Sequence, residues 1–193
     1  RRQRQMCIRD RYENGWVQKK GWNWTRPYGL AALDNEPVVH INFNEAENYC
    51  KWNKKRIPTK KEWELAAYTE FRTNNKDGYK FKKSYPYPTG ENTLGLNCLN
   101  DCNFNYPSKY SKFLLRGYGH VSTSSTKKGI NGLYDMGGNV WEWVDINDNS
   151  YKGTKGGSWW YGKNQMIQGY NATKPKNMSA VYIGFRCVKD FKN

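Results

Sequence analysis

A chain of 193 residues is long enough for one domain, and a domain of that size hides roughly 70% of its unfolded surface. Its formal charge is +15, from 32 Lys+Arg against 17 Asp+Glu, and 16% of its residues are aromatic. The aromatic load excludes simple disorder, and the lack of an apolar run of about 18 residues excludes a membrane-spanning helix.

The first segment, Arg1–Arg11, carries five arginines and one aspartate, with no apolar period and no capping signal. A basic arm on phosphates and an unstructured leader both fit it. A third reading fits better: it resembles translated sequencing-adapter read-through, so residues 1–11 are expected to be a non-native leader, Cys7 included, with the domain proper at 12–193. The remaining charge is dispersed in lysine pairs such as Lys54-Lys55 and Lys127-Lys128. With no one-sided basic stripe and no zinc-finger or RNA-binding signature, a solvated surface is expected and no nucleic-acid partner.

Two segments read as helices. Asn44 with Glu47 offers a capping box for the first, which carries Ala46, Tyr49, Cys50 and Asn53 at helical spacing and Trp52 beside them. Pro58 stops any continuation. Thr59 with Glu62 caps the second, which places Trp63, Ala66 and Ala67 on one side. Trp52 and Trp63 are both expected in the core. Short apolar runs at 38–41, 140–144 and 182–188 read as strands, the last alternating Ile183, Phe185 and Cys187 on one face. From about Thr73 to Asn131 the chain is rich in Gly, Asn, Ser, Tyr and Pro, a long irregular stretch of the kind that is functional or specially anchored. The sum is an α+β domain in need of fasteners. Cys98 and Cys102 suit a local disulfide better than half a metal site, because no second Cys pair or neighbouring His completes tetrahedral zinc. His40 and His120 sit near no candidate nucleophile and are expected to be structural.

The run Gly132-Leu-Tyr-Asp-Met-Gly-Gly-Asn-Val-Trp-Glu-Trp143, the block Gly156-Gly157-Ser158-Trp159, the block Gly184-Phe185-Arg186-Cys187, and the upstream set from Pro37-Val38-Val39 to Glu62-Trp63-Glu64 occur in one order. Together they resemble the formylglycine-generating enzyme, or sulfatase-modifying factor, family from Trp24 to Val188. The resemblance implies a C-type-lectin-like fold with two helices, short strands and much irregular structure, and a domain that here lacks its N-terminal section. It implies a calcium site from the Asp135 and Glu142 side chains with the Gly138 and Val140 carbonyls. The residue types suit that ion: two carboxylates, and glycines that let carbonyls turn inward. A turn with Asp135 capping and Glu142 bonded to buried amides is the alternative. A second calcium site is implied near residues 97–105, and a disulfide between Cys50 and Cys187.

The same resemblance locates a catalytic test. The family oxidises a cysteine of sulfatase peptides with a pair of its own thiols that holds copper(I), the first three residues after the serine of the Gly-Gly-Ser block and the second five further on. Here those positions are Tyr161 and Met166. A phenol and one thioether do not make a thiolate pair for a soft ion, so no catalytic residue is assigned and copper is not expected there. Ser158 has no recognisable base and reads as a structural hydroxyl. Ser158, Trp159, Trp160, Tyr161 and Tyr170 are expected either to line a peptide or small-ligand groove or to be ordinary core. The expected function is a non-oxidase, calcium-stabilised bacterial binding or accessory domain whose partner is a peptide, glycan or protein. The alternatives are an active formylglycine-generating oxidase and, more weakly, a basic polyanion-binding domain. The disulfides point to a periplasmic, cell-envelope or secreted location.

Overall fold

The computed structural model describes residues 7–9, 11–12, 16–103 and 108–190. Its elements are β1 (Cys7–Arg9), β2 (Arg11–Tyr12), β3 (Trp16–Val17), α1 (Phe43–Trp52), α2 (Lys60–Tyr68), β4 (Trp141–Val144), β5 (Tyr151–Lys155), β6 (Ala172–Pro175), β7 (Met178–Ala180) and β8 (Ile183–Gly184), with three short 3-10 turns. Two helices and a small mixed sheet make an α+β fold. No helix among the described residues is long and apolar enough to cross a membrane.

The sheet has strand order β6-β5-β4-β8, antiparallel except for the parallel β4–β8 edge. Strand β4 lies inside it, and all four of its residues are buried. Core packs against both faces of this strand, Trp141 and Trp143 in one cluster and Val144 in another, which accounts for apolar residues flanking the one carboxylate Glu142. Around it packs the main core, with Tyr28, Val39, Phe43, Trp159 and Tyr182 among its buried residues. A second cluster joins Trp63, Ala67, Tyr68, Met136 and Val144.

Helix α2 starts where its capping box predicts, with Thr59 and Glu62 satisfying each other's backbone amides. Helix α1 starts two residues before the predicted pair. Asn42 accepts from the Glu45 amide at 3.0 Å and Glu45 returns the bond at 2.9 Å. The earlier start brings Phe43 into the helix and buries it edge-on against Trp143, 6.0 Å between ring centroids. That register buries Ala46 and Cys50 and turns Tyr49 and Trp52 outward. Trp63 is in the core as expected; Trp52 is not, being 77% exposed. The expected strand at 38–41 has no ladder partner, although Val39 and His40 are buried. The run at 182–188 is a strand only at Ile183–Gly184, followed by one bridge from Val188 to Arg56.

Part of the expected leader has a backbone partner: β1 runs parallel to β7, with Cys7 opposite Met178. Cys50 of α1 is joined to Cys187 with 5.6 Å between Cα atoms, tying helix to C-terminal block across 137 residues. Cys98 is joined to Cys102 within one loop.

Candidate functional site

Two regions flank β4. The first is an acidic corner. Asp135 adopts a left-handed conformation at φ 58°. Its carboxylate accepts from the Ser124 amide and the Thr126 hydroxyl, each at 2.7 Å. Burial pushes its pKa above the usual value, with the nearby Glu142 charge adding to the rise. Glu142 accepts from Trp63 Nε1 at 2.7 Å, and from Arg186 Nε and Nη2 at 2.6 Å each. Burial opposes the Arg186 charge, but the Glu142 carboxylate more than offsets it and lifts that pKa. Between the two acids the chain turns through Gly138 at φ 71°, where a Cβ would lie 2.4 Å from the Asn97 carbonyl oxygen. Only glycine fits there.

This corner suits a hard cation in its donor set. Gly138 and Val140 are buried, and among the described residues no hydrogen bond reaches either carbonyl. Buried carbonyls are ordinarily paired, so two orphans beside two carboxylates make an oxygen-rich cradle. Each carboxylate oxygen already accepts one bond or more, but a carboxylate has about four lone-pair sites to share. The second expected site is less open. Asn97 is buried and its side-chain amide donates to the Gly119 carbonyl at 3.0 Å and to Asn139 Oδ1 at 3.3 Å. Residues 104 and 105 of that range lie outside the described residues.

The second region is the segment 158–170. Ser158, Trp159 and Trp160 are buried, and the Ser158 oxygen faces only the Trp160 amide, at 3.4 Å. Tyr161 packs edge-on to Trp141 and Tyr182, 5.6 and 5.8 Å between centroids, and burial raises its pKa. Tyr170 lies 6.1 Å from the same Trp141 ring. Met166 is fully buried elsewhere, in a third cluster with Leu96, Cys98 and Cys102. Tyr161 and Met166, the positions of the family's thiol pair, thus send their side chains into separate clusters. Packing against these side chains is mostly aromatic and aliphatic, with the Arg116 guanidinium 5.3 Å over the Trp160 ring.

Open space lies on another face, which the sequence did not single out. A groove of about 880 Å³ is lined by Trp24, Leu33, Ile41, Tyr49 and Phe185, with Asp34 and Glu45 at its polar positions. Trp24 is 59% exposed and Leu33 54%. Tyr49 stacks edge-on to Phe185 at 5.5 Å and sits 5.8 Å from Trp52. The spacing of Phe43, Ala46 and Cys50 is the signal that finds it: with that face of α1 buried, Tyr49 and Trp52 are left outside the core. Beside the groove is a buried polar knot. Glu36 accepts from Tyr110 Oη at 2.6 Å and pairs with Lys109 at 2.8 Å. Burial works against its charge, yet bonds from His120, Lys109 and Tyr110 hold its pKa down at about 2. His120 lies 3.2 Å from Tyr28 Oη, and burial lowers its pKa. His40 contacts the Pro27 carbonyl oxygen at 2.8 Å. These contacts give both histidines structural surroundings.

Comparison with known proteins places these features in a family. Residues 2–191 match the model of the sulfatase-modifying factor enzyme 1-like domain. Formylglycine-generating enzyme of Streptomyces coelicolor is 32% identical over 66% of the chain and 39% of its own length. Inactive C-alpha-formylglycine-generating enzyme 2 of Bos taurus is 34% identical over 75% of the chain and 46% of its own length. The mouse formylglycine-generating enzyme is 28% identical over 91% of the chain and 51% of its own length. The chain therefore spans roughly two-fifths to one-half of these relatives. Among solved structures, PvdO from Pseudomonas aeruginosa superposes with a TM-score of 0.57 at 16% identity, over 81% of this chain and 63% of its own. CarF superposes at 0.58 and 18% identity, over 82% and 69%.

Proposed function

Since the chain belongs to the sulfatase-modifying factor enzyme 1-like family, we propose that it is a non-oxidase member, a calcium-stabilised binding or accessory domain. The observation that carries this reading is the pair of positions Tyr161 and Met166, a half-buried phenol packed against the main cluster and a fully buried thioether in another. Two thiolates acting together on one copper(I) ion need adjacent sulfurs. The relatives include both formylglycine-generating enzymes and a protein named as an inactive one, so the family accommodates either role.

Calcium would be held by the Asp135 and Glu142 carboxylates and the Gly138 and Val140 carbonyls, supplying positive charge to a corner where Arg186 alone faces two acids. The binding surface is the groove of Trp24, Leu33, Tyr49 and Phe185, where large apolar side chains stay exposed on a chain that is otherwise basic and polar. Its partner is a peptide, glycan or protein. The two disulfides favour an oxidising location such as periplasm, cell envelope or exterior.

The oxidase reading is tested by incubating the protein with copper(I), oxygen and a Cys-x-Pro-x-Arg peptide. Our reading expects no aldehyde beyond a protein-free control. A polyanion-binding role is tested by titrating heparin or DNA at rising salt; affinity that falls steeply with salt would favour it, and weak, salt-indifferent binding would dismiss it.

A further inference from the structure

We propose that the loop from Gly95 to Asn103 is a redox-gated site for a soft monovalent metal ion. Reduction of the Cys98–Cys102 disulfide would leave two thiolates and the Met166 thioether to hold one copper(I) or silver(I) ion. Neither the family match nor the relatives assign these residues a role, and the inference stands apart from the calcium reading.

Three sulfur-bearing side chains belong to one small buried cluster. Cys98 is 6% exposed, and Cys102 and Met166 are fully buried, with Leu96 as their only other buried companion. Sulfur donors select soft ions, and thiolates with a thioether suit copper(I). Harder ions find little to bind in this loop, whose cluster offers sulfur and carbon rather than oxygen. The nearest carboxylate in the loop, Asp101, turns its Oδ2 to the Lys163 amide at 3.1 Å. Three sulfurs fall short of the four ligands of structural zinc.

The loop keeps its shape without the disulfide. The Gly95 amide donates to the Cys102 carbonyl at 2.8 Å, and the Lys127 amide to the Gly95 carbonyl at 2.9 Å. The Leu99 amide donates to the Tyr161 carbonyl at 3.0 Å, and the Asn139 amide to the Asn97 carbonyl at 2.8 Å. Four backbone bonds therefore hold both cysteines near Met166 after reduction. The covalent link itself joins residues only 4 apart, so it restrains the unfolded chain less than the link across 137 residues. Reduction at the short loop is thus the milder perturbation.

The steps balance with a dithiol as reductant. Its two thiols give up two electrons and two protons and become a disulfide, while the Cys98–Cys102 bond breaks to two thiols. One copper(I) ion then displaces the two thiol protons, and Met166 adds its sulfur lone pair.

The test reduces the protein under argon with dithiothreitol, maps free thiols by alkylation and mass spectrometry, removes the reductant, and titrates copper(I) against a chromophoric copper(I) chelator. The expected result is one ion per chain when Cys98 and Cys102 are free and Cys50 and Cys187 remain joined, with an X-ray absorption spectrum showing only sulfur neighbours. The Cys98→Ser/Cys102→Ser variant should lose binding, and Met166→Leu should weaken it at least tenfold and remove one sulfur from the shell. Circular dichroism of each variant checks the fold. Equal binding by Cys98→Ser/Cys102→Ser, or no uptake by the reduced protein, overturns the site. An unchanged affinity and shell in Met166→Leu overturns the three-sulfur assignment. The readout is binding, so it succeeds or fails independently of peptide turnover.

Discussion

The acidic corner and the 158–170 segment both adjoin strand β4, yet they differ in kind. In the corner charged groups are kept and paired: Glu142 with Arg186, and Asp135 with a loop amide and hydroxyl. In the segment every position that bears on the family's oxidation chemistry is filled by packing. Ser158, Trp159, Trp160 and Met166 are buried, and Tyr161 leans on Trp141. A scaffold of short strands needs its polar pins, because one buried charge without its partner costs several kcal/mol. Ring and thioether packing at the segment carries no such charge to pair. On the proposed reading, holding the fold and performing the chemistry are separate tasks.

The contrast can be broken at several points, with unequal effects. The largest is expected from cutting the pin beside the corner: Cys50→Ala with Cys187→Ala should cost about 5 kcal/mol on the loop-entropy scale, read by urea unfolding. Glu142→Gln strips Arg186 of its partner and should cost about 3 kcal/mol by the same measurement; a loss under 1 kcal/mol would mean the corner is not a pin. Calcium at a hundred times its dissociation constant should add about 2.7 kcal/mol, seen as a melting temperature raised by calcium and lowered by a chelator. A melting curve indifferent to both would remove calcium from the account. In the segment, Met166→Cys should cost about 2 kcal/mol through the space it empties.

The smallest expected effect concerns pH. Burial depresses the His120 pKa in the fold, and the groups facing it are Tyr28, Tyr110, Lys109 and the Glu36 carboxylate. The unfolded chain therefore takes up more protons than the folded one as pH falls below about 6.5, and stability should decline in that window. His120→Gln should flatten that part of the melting profile; an unchanged slope would show that another group is responsible.

Much of this contrast was legible in the residues. The Thr59–Glu62 box, β4, and the resemblance carried by four ordered blocks all reappear in the structure, because each rests on short-range rules or on several residues at once. The pairing of Cys50 with Cys187 came through the resemblance and is what the fold displays. The misses have physical causes. Asn44 and Asn42 carry the same capping chemistry with Glu47 and Glu45 three residues on, and only the burial of Phe43 against Trp143 decides between them. With Phe43 in the helix, the buried face is Phe43, Ala46 and Cys50, which leaves Trp52 outside and opens the groove. Strands β5 and β7 run exposed-to-buried and wholly buried, without the alternation that marks a strand. The segment 158–170 read equally as groove or core, and burial there follows from long-range packing on Trp141 that spacing does not encode.

The central claim, that the fold is retained and the thiol-pair chemistry is not, is tested most directly by peptide turnover. The protein, loaded with copper(I) in air, is given a Cys-x-Pro-x-Arg peptide, and aldehyde is followed by mass spectrometry beside the Tyr161→Cys/Met166→Cys variant. We predict no aldehyde from either protein above the protein-free control, since the two positions face separate clusters even when both carry thiols. Aldehyde formed by the unaltered chain would contradict the account.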